Sequence, residues 1–431
     1  MRNRVLAFAA FLSLSVGAFA QATPTAVLTA AKPVQNAELG RAVAMSGSTV
    51  ATPGLIQISQ EQLESVIFVY TKPSAASWTN MTQNATLVAP GDTFNQSIAM
   101  NGDGSIIVSS GTQGAYVFVR PQGGWQGTVN PSALLTPGPA PKPWVLQGGL
   151  GGVAINSQGN TIIAGAPGAG YAEHRSGGVK IPASPFIGAA YMFVEPDGGW
   201  ANMTATAKLT ASDGAANDRF GTTVGISANT VAIGALGVSS FTGAAYIYNR
   251  PATGKWVSTE HFRSRLAVAS EQPNDRFGLF LSIGNSGALV TVGDIEGCAA
   301  SNPGHAFVYA RSAHSGWAAA PSPAAVLTPS DISGEGCFGR VSVGESEGSQ
   351  VVVVGAPTAG GDNQPGAAYV FAEPGNGWVD TSAAASFSPG NVPFATLGYA
   401  SSVGGRTFAI SGPNADQNGV SEAGAIYLFS N

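Results

Sequence analysis

His174, His261, His305, His314, Cys298 and Cys337 are the side chains of this 431-residue chain best suited to metal, redox or nucleophilic chemistry. Their spacing supports little of it. No H-E-x-x-H sets two imidazoles on one helix face for zinc, no histidine pair stands at metal-ligand spacing, and no G-x-S-x-G offers a serine nucleophile. His305 and His314 read as variation within a scaffold. Glycoside hydrolysis needs two carboxylates flanking the scissile bond, and a pair assembled from distant parts of a chain leaves no local signature. No cluster of arginines for a carboxylate substrate is legible. The expectation is a chain without catalysis, metal or cofactor. The remaining candidate is GAGYAEHRSGGVKIPASPFI, from Gly168 to Ile187. Its Tyr171, Glu173, His174, Arg175 and Lys180 suit a polar ligand, a glycan or a protein surface. The bland alternative is a solvated insertion that binds nothing.

The elements that would carry such a loop are written as repeats. Phe-Gly or a variant recurs at Leu39-Gly40, Phe94-Asn95, Leu150-Gly151, Phe220-Gly221, Phe277-Gly278, Phe338-Gly339 and Leu397-Gly398, about every 55 to 61 residues with one interval near 70. Each is followed by an alternating run, a polar turn and a second apolar run ending in small residues, as in AGAP, IGAL and VGAP. Then come GAAYMFVEPDGGW, GAAYIYNRPATGKW, GHAFVYARSAHSGW or GAAYVFAEPGNGW, and a last run ending near Leu-Thr. Strict alternation over short stretches argues strands, and the Pro/Gly turn before each Trp argues hairpin tips. Four short strands cannot bury both faces of their sheet, so neighbouring units must stack. Seven units predict an all-β, seven-bladed β-propeller with four-stranded antiparallel blades. The last copy lacks its fourth strand, and an orphan fourth-strand pattern, TPTAVLTA, stands at Thr23–Ala30. The N-terminal strand is therefore expected to join the last blade and close the ring, which leaves no open sheet edge.

Within this scheme the aromatic of each Phe-Gly fills space between blades and the small residues of GAAY allow close approach. The Gly-Ala-Pro is expected to end the second strand and release the chain into a loop. Phe220, Phe277, Phe338, Gly221, Gly278, Gly339 and the tryptophans Trp200, Trp256, Trp317 and Trp378 are assigned to fold maintenance.

Composition agrees. Glycine is abundant (58 residues) and charged residues make up only 10%, well below the usual quarter, which suits strands and tight turns rather than solvated helices. A net charge of −5 without a basic patch argues against nucleic acid and against a polybasic membrane anchor. Residues 1–20, MRNRVLAFAAFLSLSVGAFA, read as a secretory signal peptide. Arg2 and Arg4 precede an apolar stretch, and Ala18-Phe19-Ala20 forms the cleavage site. The alternative, an uncleaved anchor helix, has an apolar stretch shorter than the roughly 20 residues a span requires. The expected product is one domain, residues 21–431, monomeric and either secreted or periplasmic.

The unit KLTASDGAANDRFGTTVGISANTVAIGALG, with Phe220-Gly221 and Gly234-Ala235, resembles the FG-GAP repeat in the short form of exported bacterial proteins, and more distantly the integrin α-subunit headpiece. The likeness runs over the whole mature chain, tightest in copies four and six and looser in copies one, two and seven. It implies a propeller used for recognition outside the cell and no particular reaction. Integrin-like repeats often hold calcium in an acidic loop, and calcium needs six to eight oxygen ligands. The matching turns here, such as NGDGS at Asn101 and NSQGN at Asn156, carry at most two carboxylates, and Asp103 reads as a turn residue. The PDGGW and PGNGW turns only faintly resemble the Asp-box hairpins of sialidase propellers.

In such a blade the loop between strands two and three shares a face with the connector into the next blade. Cys298 falls in one and Cys337 in the other, across a single boundary, so a disulfide is expected in an exported chain; two free thiols are the alternative. The same face carries the length variation, and a rigid ring with unequal loops is where binding sites are usually built. The sequence points to an extracellular, non-catalytic adhesion or binding propeller whose partner is a protein or glycan. An extracellular hydrolase or lyase acting on polysaccharide is the rival.

Overall fold

The computed structural model describes residues 22–430 apart from 74–76, 140–143, 147–148, 177–178, 182, 295–303, 330, 333–335, 362–364, 384 and 391. Seven antiparallel sheets of the same plan follow one another along the chain. Blade 4 shows the plan most simply, with Phe220–Ile226, Thr230–Ala235, Ala244–Asn249 and Ser264–Leu266 paired in sequence order. The first strands form the inner ring. Ala44–Ser46, Phe94–Met100, Val153–Ile155, Phe220–Ile226, Phe280–Ile283, Arg340–Ser346 and Ser401–Gly404 each pack on the next, and the last returns to the first. Hydroxyls stitch this ring: Ser97 accepts from the Val153 amide, Ser282 from Val343 and Ser402 from Met45, each at 3.0 Å.

The ring closes as the sequence predicts. Ala26–Thr29 pairs antiparallel with Ala425–Ser430, Ala26 opposite Leu428 and Leu28 opposite Ile426, and supplies the outer strand of blade 7. Seven clusters of buried apolar side chains are found among the described residues, one at each blade boundary, and each mixes residues of two neighbouring blades. No blade has a core of its own, so each is stable only beside its neighbours.

The Phe-Gly and Gly-Ala motifs meet across those boundaries. Phe220, buried, lies 5.5 Å from the Tyr246 ring and 6.1 Å from Tyr248 in its own blade, inside a cluster that includes Ile163 and Met192 of the preceding one. Phe277 and Phe338 occupy equivalent places. The pairing register slips between Phe220 and Val224, a bulge that begins at Gly221. Gly221, at φ +92°, lies against the Gly of the preceding blade's Gly-Ala-Pro: a Cβ on Gly165 would stand 1.9 Å from the Gly221 carbonyl oxygen. The same approach recurs between Gly234 and Gly278, Gly293 and Gly339, and Gly355 and Gly398. The glycine of Gly-Ala-Pro is thus a contact surface for the next blade, where the sequence reading had it only as a strand end.

A second device has no counterpart in the sequence reading. After each repeat Trp, a short segment lies along the outer strand of the preceding blade. Met81–Thr82, Gly127–Val129, Met203–Thr204 and Thr381–Ser382 add parallel to blades 7, 1, 2 and 5. Thr259 bridges to Leu209 of blade 3, and Arg265 of blade 4 donates its amide to the Ala319 oxygen at 2.8 Å. Ala22 bridges to Phe387 of blade 6. Every blade is therefore latched at its rim by the next one. A polar side chain two residues after the Trp reinforces four of these latches: Asn80, Asn202, Ser258 and Asp380 accept from the amides of Val27, Leu134, Lys208 and Val326 at 2.8–3.0 Å. The Trp itself, buried in six blades, folds over the first turn of its blade, as where Trp200 Nε1 donates to the Gly159 oxygen at 2.9 Å.

Candidate functional site

The loop face departs from this regularity in three places. The first is over blade 3. Ala169–Tyr171, in the insertion that stretches the Leu150–Phe220 interval, pairs antiparallel with Trp144–Leu146 from the connector between blades 2 and 3. Tyr171 also pairs on its other side with Ser184, through amide-to-carbonyl bonds of 3.0 and 2.9 Å. Between them His174–Ser176 and Val179–Ile181 form a hairpin with Arg175 opposite Lys180. The two insertions thus hold each other by backbone bonds and stand as a crown on the propeller. Tyr171 is 41% exposed and Glu173 is exposed; His174, Arg175 and Lys180 take their places by backbone register on the same hairpin. The crown's end runs beside the lead-in to blade 4, where the amides of Arg219 and Phe220 donate to the oxygens of Phe186 and Ile187. The Arg219 guanidinium carbon lies 5.8 Å from the Phe186 ring centre and 5.5 Å from that of Phe241, within cation–π range.

The second departure is in blade 5. Blades 3, 4 and 6 place Ala166, Ala235 and Ala356 after the second-strand glycine, opposite Ala189, Ala244 and Ala367. Blade 5 has Asp294 and His305 there, and Phe307 where blades 3, 4 and 6 have Tyr191, Tyr246 and Tyr369. Asp294 is 1% exposed; it accepts the His305 amide at 2.6 Å, and its Oδ2 lies 3.2 Å from His305 Nδ1. Asp275, 4% exposed, accepts the Gln272 amide. In blades 2, 4 and 6 a connector aspartate takes a tyrosine hydroxyl: Tyr116 to Asp92 at 2.7 Å, Tyr246 to Asp213 at 3.4 Å, Tyr369 to Asp331 at 2.7 Å. Glu271 stands at that place in blade 5, where Phe307 offers no hydroxyl, and its Oε2 is buried without a hydrogen-bond partner. Burial first, and then the charges of Asp294 and Asp275, push the Glu271 carboxyl up to about 9. At neutral pH this burial favours its protonated form. Among the described residues, no three His, Cys, Asp or Glu side chains are arranged to hold a metal ion. The sequence signal existed in His305, which was read as scaffold variation; Asp294 in VGDIEG is the half that completes it.

The third is at the axis, in the residues that follow the repeat glycines. Blades 3, 4 and 5 have Gly152, Thr222 and Leu279 there; blades 6, 7 and 1 have Arg340, Tyr399 and Arg41. The Arg340 guanidinium carbon lies 3.9 Å from the Tyr399 ring centre and 4.5 Å from that of Phe280, and Nη1 donates to the Tyr399 carbonyl oxygen at 3.1 Å. Arg41 lies 5.7 Å from the same tyrosine ring, donates to its hydroxyl at 3.3 Å, and pairs with Glu38. No arginine cluster was legible in the sequence, and the ring assembles one.

Cys337 is buried, disulfide-bonded and left-handed in φ at +48°, at the lead-in to blade 6. Cys298, its expected partner, lies outside the described residues.

Residues 203–248 match the family model of the FG-GAP repeat. No curated protein matches the chain. The matched stretch runs from the latch Met203–Thr204 through the outer strand of blade 3 and the Phe-Gly and Gly-Ala strands of blade 4 to its third strand. Its plan is the one the other blades repeat, so the chain carries an FG-GAP repeat within a seven-bladed β-propeller.

Proposed function

We propose that this propeller is an exported recognition module that binds a protein or glycan through its loop face, centred on the crown over blade 3. The observation that carries this reading is the crown itself. Two insertions that the repeat does not need are paired to each other strand by strand, and they present Tyr171 at 41% exposure beside Glu173. A solvated insertion has no reason to be cross-braced. Tyrosine supplies contact area at low conformational cost, and rigid loops lose little entropy on binding. The leader-like sequence of residues 1–20 supports export, and a first residue of Gln21 in the secreted protein would be its direct sign. The rival reading, hydrolysis or elimination on a polysaccharide, draws on the protonated Glu271, but its neighbours Asp275 and Asp294 are shut away from substrate.

The test is a screen of residues 21–431 against arrays of glycans and extracellular polymers, beside a variant in which residues 172–183 are replaced by Gly-Gly. Tyr171 and Ser184 already pair, so the shortened hairpin closes without disturbing blade 3. Binding that disappears in the trimmed protein supports the reading; binding that persists unchanged refutes the crown as its centre.

A further inference from the structure

The axial cluster is not required by the fold. Blades 3, 4 and 5 build the same strand start with Gly152, Thr222 and Leu279, so nothing in the blade plan calls for arginine. Yet two guanidinium groups share one tyrosine ring here, in a chain whose charged residues make up only 10%. Their counter-charges are unequal. Arg41 has Glu38. Arg340 has no carboxylate partner among the described residues; its hydrogen bond goes to a neutral carbonyl, and its Nε is buried without an acceptor. Burial draws the Arg340 guanidinium below its ordinary range; Tyr399 opposes the shift, and the positive charge of Arg41 adds a smaller push downward. A guanidinium stays charged under such conditions, so the folded protein holds a cation that lacks an anion. Stacking between Phe280 and Tyr399 keeps the guanidinium plane fixed, so the N–H groups not spent on the Tyr399 carbonyl hold one orientation.

We propose that this axial mouth on the loop face, between Arg340 and Arg41, binds a carboxylate or sulfate group, carried as a free oxyanion or as the acidic substituent of a polysaccharide. Tyr399 sits between the two arginines as the shared platform, and Glu38 holds Arg41 at the rim of the site. The site is separate from the crown and stands or falls independently of it.

The experiment is a thermal-shift titration of the full mature chain with sodium sulfate, sodium galacturonate and polygalacturonate, against sodium chloride at matched ionic strength. The expected result is a saturable rise in Tm beyond chloride. Arg41→Gln weakens it about tenfold, as for loss of one charged hydrogen-bonding partner; Arg340→Gln abolishes it, and Arg406→Gln, an exposed arginine paired with Glu347, leaves it unchanged. Should Arg340→Gln not fold, Arg340→Lys keeps the charge without the fork and must still raise the midpoint. Tighter binding of the polymer than of galacturonate per acidic group assigns the polysaccharide source, and equal binding assigns the free oxyanion. No rise beyond chloride, or identical midpoints in wild type and Arg41→Gln, overturns the proposal.

Discussion

The outer rim and the loop face are built from the same seven blades, and they vary in opposite ways. At the rim, six blades are latched by the segment after a neighbour's Trp and blade 6 by Ala22, so the latch recurs around the whole circle. On the loop face, blade 3 carries a crown, blade 5 sets a half-buried His305 on a buried Asp294 beside Glu271, and blades 6, 7 and 1 gather two arginines on one tyrosine. The rim's uniformity follows from its task. A ring with a core only at its boundaries fails if any boundary opens, so every boundary needs the same clasp. The loop face has no such constraint, and its departures from the repeat mark where a residue type answers to something other than folding. Blades 4 and 5 make the point at closest range. Both begin with Asn-Asp-Arg-Phe-Gly, yet the alanines of one are Asp294 and His305 in the other.

Substitutions at boundary and rim should change stability and leave recognition alone. The largest loss is expected from Trp317→Ala, whose indole is 1% exposed. Truncating such an aromatic costs about 3–5 kcal/mol, read from denaturant unfolding, and a loss near zero would place Trp317 outside the core. Next comes the pH response of blade 5. The folded Glu271 carboxyl keeps its proton up to about pH 9, whereas the ordinary value is 4.5. Its contribution to stability is therefore whole below pH 4.5 and is lost as pH rises toward 9. Glu271→Gln should flatten the fall in Tm between pH 5.5 and 8.5; an unchanged slope would mean that another group sets it. The smallest effect is expected at a single latch. Asn202→Ala removes one exposed hydrogen bond to Leu134 and should cost about 0.5–1.5 kcal/mol, with ligand binding unaltered. A larger loss would mean that the rim unzips cooperatively.

Much of the scaffold was legible because its signals are local and repeated. Phe220-Gly221, Gly234-Ala235 and the Trp positions fall at fixed offsets in copy after copy, and the orphan TPTAVLTA announced the closure that Ala26–Thr29 makes. The latches escaped notice because two-residue strands have no periodicity and their partners belong to another blade. The polar residue two places after Trp78, Trp200, Trp256 and Trp378 was their one local trace. The sites were harder still. Glu271 and Asp294 lie in separate loops and meet only in the fold. Arg41 and Tyr399 lie 358 residues apart and meet only because the ring closes. The crown was visible as an insertion, but its bracing by Trp144–Leu146 was not, since nothing in two separate loops states that they pair.

Hydrogen exchange of the intact protein, with and without the tightest ligand from the array, tests the recognition reading most directly. The account predicts new amide protection concentrated in residues 144–146 and 169–187, with the rim latches unchanged. Protection confined to the rim or to blades remote from the crown would contradict it.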